Sequence, residues 1–439
     1  MRIAALLRGR QDFLRAAFVT LGSRLLDLPS RYGFHLIVAF RLGVLDAGLF
    51  YIVFSVLTLA AGAGRLGIDR ALTREVARAI AQHAPNSARA IIGNGVRTVF
   101  VLCIVATLLM ILIADPVARH LIGNPALARP LMIGALSIVP LCLSVVAGGA
   151  LLGLMRVGYS QMIYSWLWPA IFCICALIVP LTVTSALWLL LASTTINAVI
   201  GFVLLGMMLP KKDVGASAGE RVPLFGLGWS LFTTEIVQLL LASAPTLTLG
   251  IVTSEREVGY FALAWRVALI LNLVVSAVAA MVSPRFARAH AQGNREDLIA
   301  TSAQALAIVF ALGALPLIVL VIGARPILEL FGAGYGDGAM TLRILLLGQF
   351  IAMLSAGAPE LLGMAGHGSM LRRINLVAAV CLGISLAVFT PLFGANGAAW
   401  ATVTTAIAIA VGANLAIRHY LDFVPLAAFR SSLRPRRVH

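Results

Sequence analysis

Apolar stretches of about 20 residues alternate along the chain with short segments that carry charges and turn residues. Twelve stretches stand out, at roughly 13–40, 47–66, 91–113, 130–152, 162–183, 185–209, 229–250, 259–282, 299–322, 340–364, 373–392 and 395–417. Helix rises about 1.5 Å per residue, so each is long enough to cross a hydrocarbon core of about 30 Å. The first stretch differs in being too polar for a helix that faces lipid on all sides. The pattern predicts an all-α polytopic membrane protein with about 12 transmembrane helices.

Composition supports the same solvent. Hydrophobic residues make up 61% of the chain and charged residues 11%, with a mean hydropathy of +1.00. A soluble domain carries about 25% charged residues, and this much apolar surface has nowhere to go in water. The net charge is +16, from 33 Lys+Arg against 17 Asp+Glu. These basic residues fall in short clusters between the apolar stretches, which reads as membrane topology and argues against a nucleic-acid partner. With the N-terminus placed in the cytoplasm, 23 of them lie in cytoplasmic segments and 6 in the opposite ones. That bias predicts an even number of spans with both termini cytoplasmic. Met1 to Arg15 is basic and lacks a short apolar core with a cleavage site, so no secretory signal peptide is expected. Cys103, Cys142, Cys173, Cys175 and Cys381 all lie in apolar stretches and read as small packing residues.

The chain also repeats itself. Gly48-Leu49-Phe50-Tyr51 opens the second stretch and Gly259-Tyr260-Phe261-Ala262 the eighth; Leu151-Leu152-Gly153-Leu154 closes the fourth and Leu361-Leu362-Gly363-Met364 the tenth. Both offsets correspond to six spans, an even number that preserves topology, so the halves are read as parallel repeats. The expected division is a six-helix bundle at 1–210, a cytoplasmic linker at 211–222, and a second six-helix bundle at 223–439 ending in a basic cytoplasmic tail. Transporters with such repeats alternate access around a central cavity.

The first stretch holds the sharpest chemical signal. Arg24, Asp27, Arg31 and His35 recur at spacings of three, four and four, which confines them to an arc of about 80° on a helix. Charge at bilayer depth costs at least a few kcal/mol, so the stripe should face a wet interior or a partner. Pro29 lies between the two arginines and is expected to kink the helix. Asp27 can pair with either arginine, leaving a net positive stripe whose guanidinium forks suit a diphosphate. The competing reading is a self-satisfied ion-pair network, or an interfacial helix. Arg266, near the outer end of the eighth stretch, is a further cavity candidate. Glu235 in the seventh stretch and Glu360 late in the tenth are candidates for carrying a coupling ion, with neutral or paired carboxyls as the alternative.

No phosphate-cradling Gly-x-x-x-x-Gly-Lys-Ser/Thr loop is present, and Gly332 to Gly338 has the wrong spacing and context for a dinucleotide site, so it reads as a turn. No catalytic or metal-ligating constellation appears. The chain is therefore not read as an enzyme, and no cofactor or metal is expected.

Several landmarks together resemble the polysaccharide and O-antigen flippase (Wzx-like) family of the multidrug/oligosaccharidyl-lipid/polysaccharide exporter superfamily. They are Phe40-Arg41-Leu42-Gly43, Asp46 to Tyr51, Leu66-Gly67-Ile68-Asp69-Arg70-Ala71-Leu72, Val258 to Ala264, Ser283 to Arg288, Leu342 to Gln349 and Gly394 to Thr402. The resemblance runs from about residue 15 to residue 415. It implies two six-helix bundles around a central cavity in a bacterial inner membrane, flipping a polyprenyl-diphosphate-linked oligosaccharide to the periplasmic leaflet. Membrane lipids, a proton or sodium gradient, a polysaccharide polymerase and other assembly proteins are the implied partners. An acid often seen late in the seventh span of that family is replaced here around Ala244-Pro245. The rival readings are a cation-coupled drug exporter of the same superfamily, disfavoured by the arginine stripe, and a membrane-bound glycan polymerase or ligase, disfavoured by the lack of a large outer loop.

Overall fold

The computed structural model describes residues 2–210 and 224–432. The expected linker at 211–222 and the basic tail beyond residue 432 lie outside the described residues. The chain divides into two compact units, Met1–Leu239 and Leu240–His439.

The first unit is built from α1 (Arg2–Arg65), α2 (Ile68–Ala81), α3 (Pro85–Pro116), α4 (Ala128–Ala135), α5 (Ile138–Gly153), α6 (Val157–Gln161), α7 (Leu167–Ile178) and α8 (Val183–Met208). The first part of α9 (Leu224–Val252) also belongs to it. The second unit takes the rest of α9 and adds α10 (Glu255–Ala268), α11 (Ile270–Ala291), α12 (Arg295–Ile322), α13 (Ala324–Glu329), α14 (Ala339–Leu354), α15 (Ala358–Met364), α16 (Gly368–Leu421) and α17 (Pro425–Ser432). Among the described residues there is no strand. Lipid offers backbone groups no partners, and helices satisfy nearly all of theirs internally.

Among the described residues, ten helical segments are long and apolar enough to cross a membrane. Two of them are too long for one crossing, at 40 residues (Leu26–Arg65) and 54 residues (Gly368–Leu421). Each is broken at a glycine with positive φ, Gly43 (φ 73°) and Gly394 (φ 56°). Across the first break the Tyr51 hydroxyl donates to the His35 carbonyl at 3.1 Å, whereas a straight helix would hold those residues about 24 Å apart. Across the second, the Ser385 and Thr404 hydroxyls meet at 2.9 Å. Both segments are therefore hairpins that supply two crossings each, which makes twelve, as the apolar pattern predicts. The backbone stays helical through Pro29 and is interrupted at Gly43 instead.

Local sequence explains the helix ends. Thr182 and Ser185 form a reciprocal capping box at the start of α8, and Asn294 accepts the Asp297 N–H at the start of α12. In the second hairpin Glu257 reaches across from α10, and its carboxylate accepts the Ala395 N–H at 2.7 Å. That N–H opens the returning helix, where a carboxylate also meets the positive helix end. Replacing Glu257 by alanine should cost about 1–2 kcal/mol, read as a lower unfolding temperature of the purified protein; an unchanged temperature would remove this cap from the account.

One element is absent from the apolar pattern. The basic segment after the second span forms the amphipathic helix α2, which buries Ile68, Asp69, Ala71, Leu72, Glu75, Val76 and Ala79. Its arginines Arg70, Arg74 and Arg78 remain largely exposed. In the second unit the core gathers Val282, Phe286, Leu306, Val309, Leu361 and Ile417.

Candidate functional site

The stripe on α1 is partly described. Arg24 lies in the helical backbone of α1, and its side chain is outside the described residues. Asp27 and Arg31 form an ion pair at 3.2 Å, with the arginine side chain 52% exposed and the aspartate 32%. One turn on, His35 enters an aromatic cluster. Its ring centroid lies 4.8 Å from Phe34, 5.8 Å from Tyr51 and 6.1 Å from Phe54. Phe34 in turn meets Trp168 at 5.1 Å and Phe172 at 4.7 Å, both edge-on. Phe34, Phe50, Tyr51 and Phe172 are buried, while His35, Phe54 and Trp168 are half-buried. The stripe thus passes from a partly exposed ion pair to an aromatic wall with accessible rings, and edge-to-face packing fixes the geometry of that wall.

Glu235 sits elsewhere. Its carboxylate accepts from the Arg65 guanidinium at 2.7 Å and lies 3.7 Å from Arg70 Nε. Arg65 Nε is also 3.9 Å from Asp69. The side chains of Arg65, Asp69 and Glu235 are only 14%, 7% and 9% exposed. Burial pushes the Asp69 carboxyl above the usual carboxylate range, while the neighbouring Arg65 pulls it back.

Helix geometry explains the placement. Gly228, Phe232, Glu235 and Leu239 follow spacings of four, three and four on α9 and share one face. That face lies along the seam between α1 and α2. Gly67, in the left-handed conformation at φ 69°, is so close to α9 that a Cβ there would stand 2.5 Å from the Gly228 oxygen and 2.9 Å from the Phe232 nitrogen. A Cβ on Gly228 would stand 2.7 Å from the Leu66 oxygen, and one on Gly62 would collide with the Leu239 side chain. Close backbone approach at paired small residues is how helices pack in lipid.

Reading the sequence alone missed Arg65 and Asp69 as members of a buried cluster, with Arg70 at its exposed edge, and took the arginines as topological anchors. The four-residue spacing of Arg65 and Asp69 was a usable signal; Glu235, 170 positions along the chain from Arg65, was not. The other two candidates belong to the second unit: Arg266 is half-buried in the last turn of α10, and Glu360 is half-buried in the first turn of α15, after Gly357 in the left-handed conformation. Among the described residues, no group of three or more His, Cys, Asp or Glu side chains is placed to hold a metal.

No curated protein matches this sequence. Its fold is similar to that of solved transporters. A multidrug resistance MATE family transporter of the MOP superfamily in an inward-facing conformation superposes with a TM-score of 0.77 at 15% identity, over 95% of this chain and 100% of that one. The lipid II flippase MurJ in an inward closed conformation gives 0.72 at 14% identity, over 95% of this chain and 89% of that one. A MOP superfamily transporter from Pyrococcus furiosus, whose binding pocket is described as having reverse polarity, gives 0.64 at 16% identity, over 90% of this chain and 94% of that one. Residues 13–290, more than half of the chain, match the family model described as polysaccharide biosynthesis protein. With twelve crossings, a fold like that of these solved transporters and this match, the chain belongs to the polysaccharide biosynthesis protein family.

Proposed function

We propose that this multi-pass membrane protein flips a polyprenyl-diphosphate-linked oligosaccharide from the cytoplasmic to the periplasmic leaflet of a bacterial inner membrane. It does so by alternating access of its six-span halves, 1–210 and 223–439, with no chemistry on the cargo. Such a cycle needs only that the two states differ in affinity for the cargo.

The observation that carries this reading is the α1 stripe in a member of a polysaccharide biosynthesis family. Arg31 keeps half of its side chain accessible while pairing with Asp27, and Arg24 lies two turns earlier, so the stripe retains net positive charge. Arginine forks match the paired oxygens of a diphosphate. The half-buried rings of His35, Phe54 and Trp168 beyond it offer flat faces for sugars. The likeness to the solved lipid II flippase MurJ supports a lipid-linked cargo. Arg266, half-buried at the end of α10 in the second unit, is kept as a further candidate for contacting cargo. Glu360 is the stronger candidate for coupling to a proton or sodium gradient, because Glu235 is already engaged by two arginines.

A cation-coupled drug exporter is the second reading, supported by the likeness to the MATE fold and by the aromatic wall. Reconstitution separates the two. Liposomes containing the protein should translocate a fluorescent polyprenyl-diphosphate oligosaccharide and not a fluorescent organic cation. The Arg24→Ala/Arg31→Ala double variant should lose at least about tenfold in rate, since each charge-assisted contact is worth about 1.5–3 kcal/mol, with its unfolding temperature unchanged. Equal rates in variant and wild type would remove the stripe from the cargo site, and transport of the cation alone would replace the flippase reading with the exporter.

A further inference from the structure

Two grooves open on the outer surface of the first unit, and they meet at one side chain. The first is apolar, lined by Leu136 in the turn between α4 and α5 and by residues of α5 and α8 that include Pro140, Leu191, Val199 and Phe202, with a volume of 660 Å³. The second, of 430 Å³, runs between α3 and α8 and is lined by Gly93, Val96, Arg97, Phe100, Phe202 and Gly206 among others. Phe202 borders both.

The second groove exists because both its helices lack side chains where they face it. A Cβ built on Gly93 or on Gly206 would meet nothing within 4 Å. Glycine inside a helix is less favourable than alanine, and no close helix contact at these two positions offsets that cost. The open space itself is what the glycines supply.

Arg97 stands one turn beyond Gly93, exposed on the groove. No described residue forms a hydrogen bond or ion pair with it. Its neighbour on the same helix, Arg89, donates to the Pro210 carbonyl at 2.6 Å, just past the end of α8. That bond marks the level where the helix pair ends, and Arg97 lies about 12 Å deeper along α3. Helix geometry tilts its side chain back toward the Pro85 end, so the guanidinium rises to the polar end of the groove while its stem stays among apolar groups. A cation at this depth beside an apolar trough calls for an anion that carries its own apolar chain.

We propose that these grooves form a binding site for an anionic diacyl phospholipid, with Arg97 on the headgroup phosphate and the acyl chains lying past Gly93 and Gly206 toward Phe202. A single free guanidinium suits a phosphodiester, whereas a diphosphate would call for a pair of forks such as the α1 stripe provides. The site is therefore a lipid site distinct from the cargo stripe, and it does not depend on the identity of the cargo.

Native mass spectrometry of the full-length protein in detergent tests this with phosphatidylglycerol and phosphatidylcholine of identical acyl chains. Wild type should prefer phosphatidylglycerol by about fivefold, the value of one arginine near a phosphate surface. Arg97→Gln should reduce that preference to parity, while Arg129→Gln, at another exposed arginine, should leave it intact. A Cβ at Gly206 meets nothing within 4 Å, so Gly206→Leu should extend into the groove, keep the wild-type unfolding temperature and weaken both lipids severalfold. A preference retained in Arg97→Gln, or both lipids bound as well by Gly206→Leu as by wild type, would overturn the proposal. Displacement of phosphatidylglycerol by equimolar polyprenyl diphosphate would overturn it too, by making the groove a cargo site.

Discussion

Replacing Glu235 by alanine is expected to destabilise the protein by about 3–5 kcal/mol, the cost of stranding a buried charge whose partner has been removed. The charge left behind is Arg65, 14% exposed and held at 2.7 Å by Glu235 in the native protein. Asp69 stays as a partner of Arg65, but at 3.9 Å it offsets the buried charge less closely than Glu235 does at 2.7 Å. Arg70 would lose its contact with Glu235 as well, but its side chain is 53% exposed and water can solvate it. The loss should therefore come mainly from Arg65. The informative measurement is a double-mutant cycle on thermal or denaturant unfolding of the purified protein. Arg65→Ala/Glu235→Ala should be less destabilised than the sum of the two single variants, because removing both charges leaves neither unpaired. If Glu235→Ala unfolds like wild type, the pair does not hold α9 against α1. Glu235 would then return as a candidate for ion coupling.

Gly67→Ala should be the most damaging small substitution on the same seam. Two costs add at this position. The left-handed conformation at φ 69° penalises any residue with a Cβ by about 1–2 kcal/mol. The new methyl would also stand 2.5 Å from a backbone oxygen of α9, which cannot rotate away as a side chain could. Relief requires α9 to move off the α1–α2 turn, which would stretch the Arg65–Glu235 pair. The expected result is a loss of several kcal/mol or failure to accumulate in the membrane. Gly383→Ala gives the contrast: that glycine is helical within α16 and its added methyl meets nothing within 4 Å. There alanine should be neutral or stabilising by about 0.5–1 kcal/mol. Equal effects at the two positions would mean that close approach at Gly67 does not matter for stability.

The twelve crossings are legible in the order of residues, because a membrane span is written in consecutive positions: about 20 apolar side chains in a row have one economical environment. The two hairpin turns were legible for a related reason, since Gly43 and Gly394 fall in the short breaks between stretches, where a positive φ is easiest for glycine. The Asp27–Arg31 pair followed from a four-residue spacing on a single helix. Gly332 to Gly338 was read as a turn and forms one, with positive φ at Gly332 and Gly334 and a short 3₁₀ turn from Tyr335.

The relations between helices were not written there. Whether Glu235 faces a cavity, lipid or another helix depends on the rotation of α9 about its axis. Gly228, Phe232 and Leu239 set that rotation by fitting against Gly62 and Gly67. The apolar pattern cannot report it, because in lipid every face of such a helix is apolar and periodicity loses its direction. The open space over Gly93 and Gly206 stayed hidden because it is a property of two helices and of neither alone, whereas the apolar face of α2 carried a helical period that a reading confined to long apolar stretches passes over. Span number and local pairs depend on the order of residues along the chain. The charge cluster at Arg65 and the groove at Arg97 depend on packing between distant segments, where a rotation of one helix by a third of a turn would exchange buried partners for lipid.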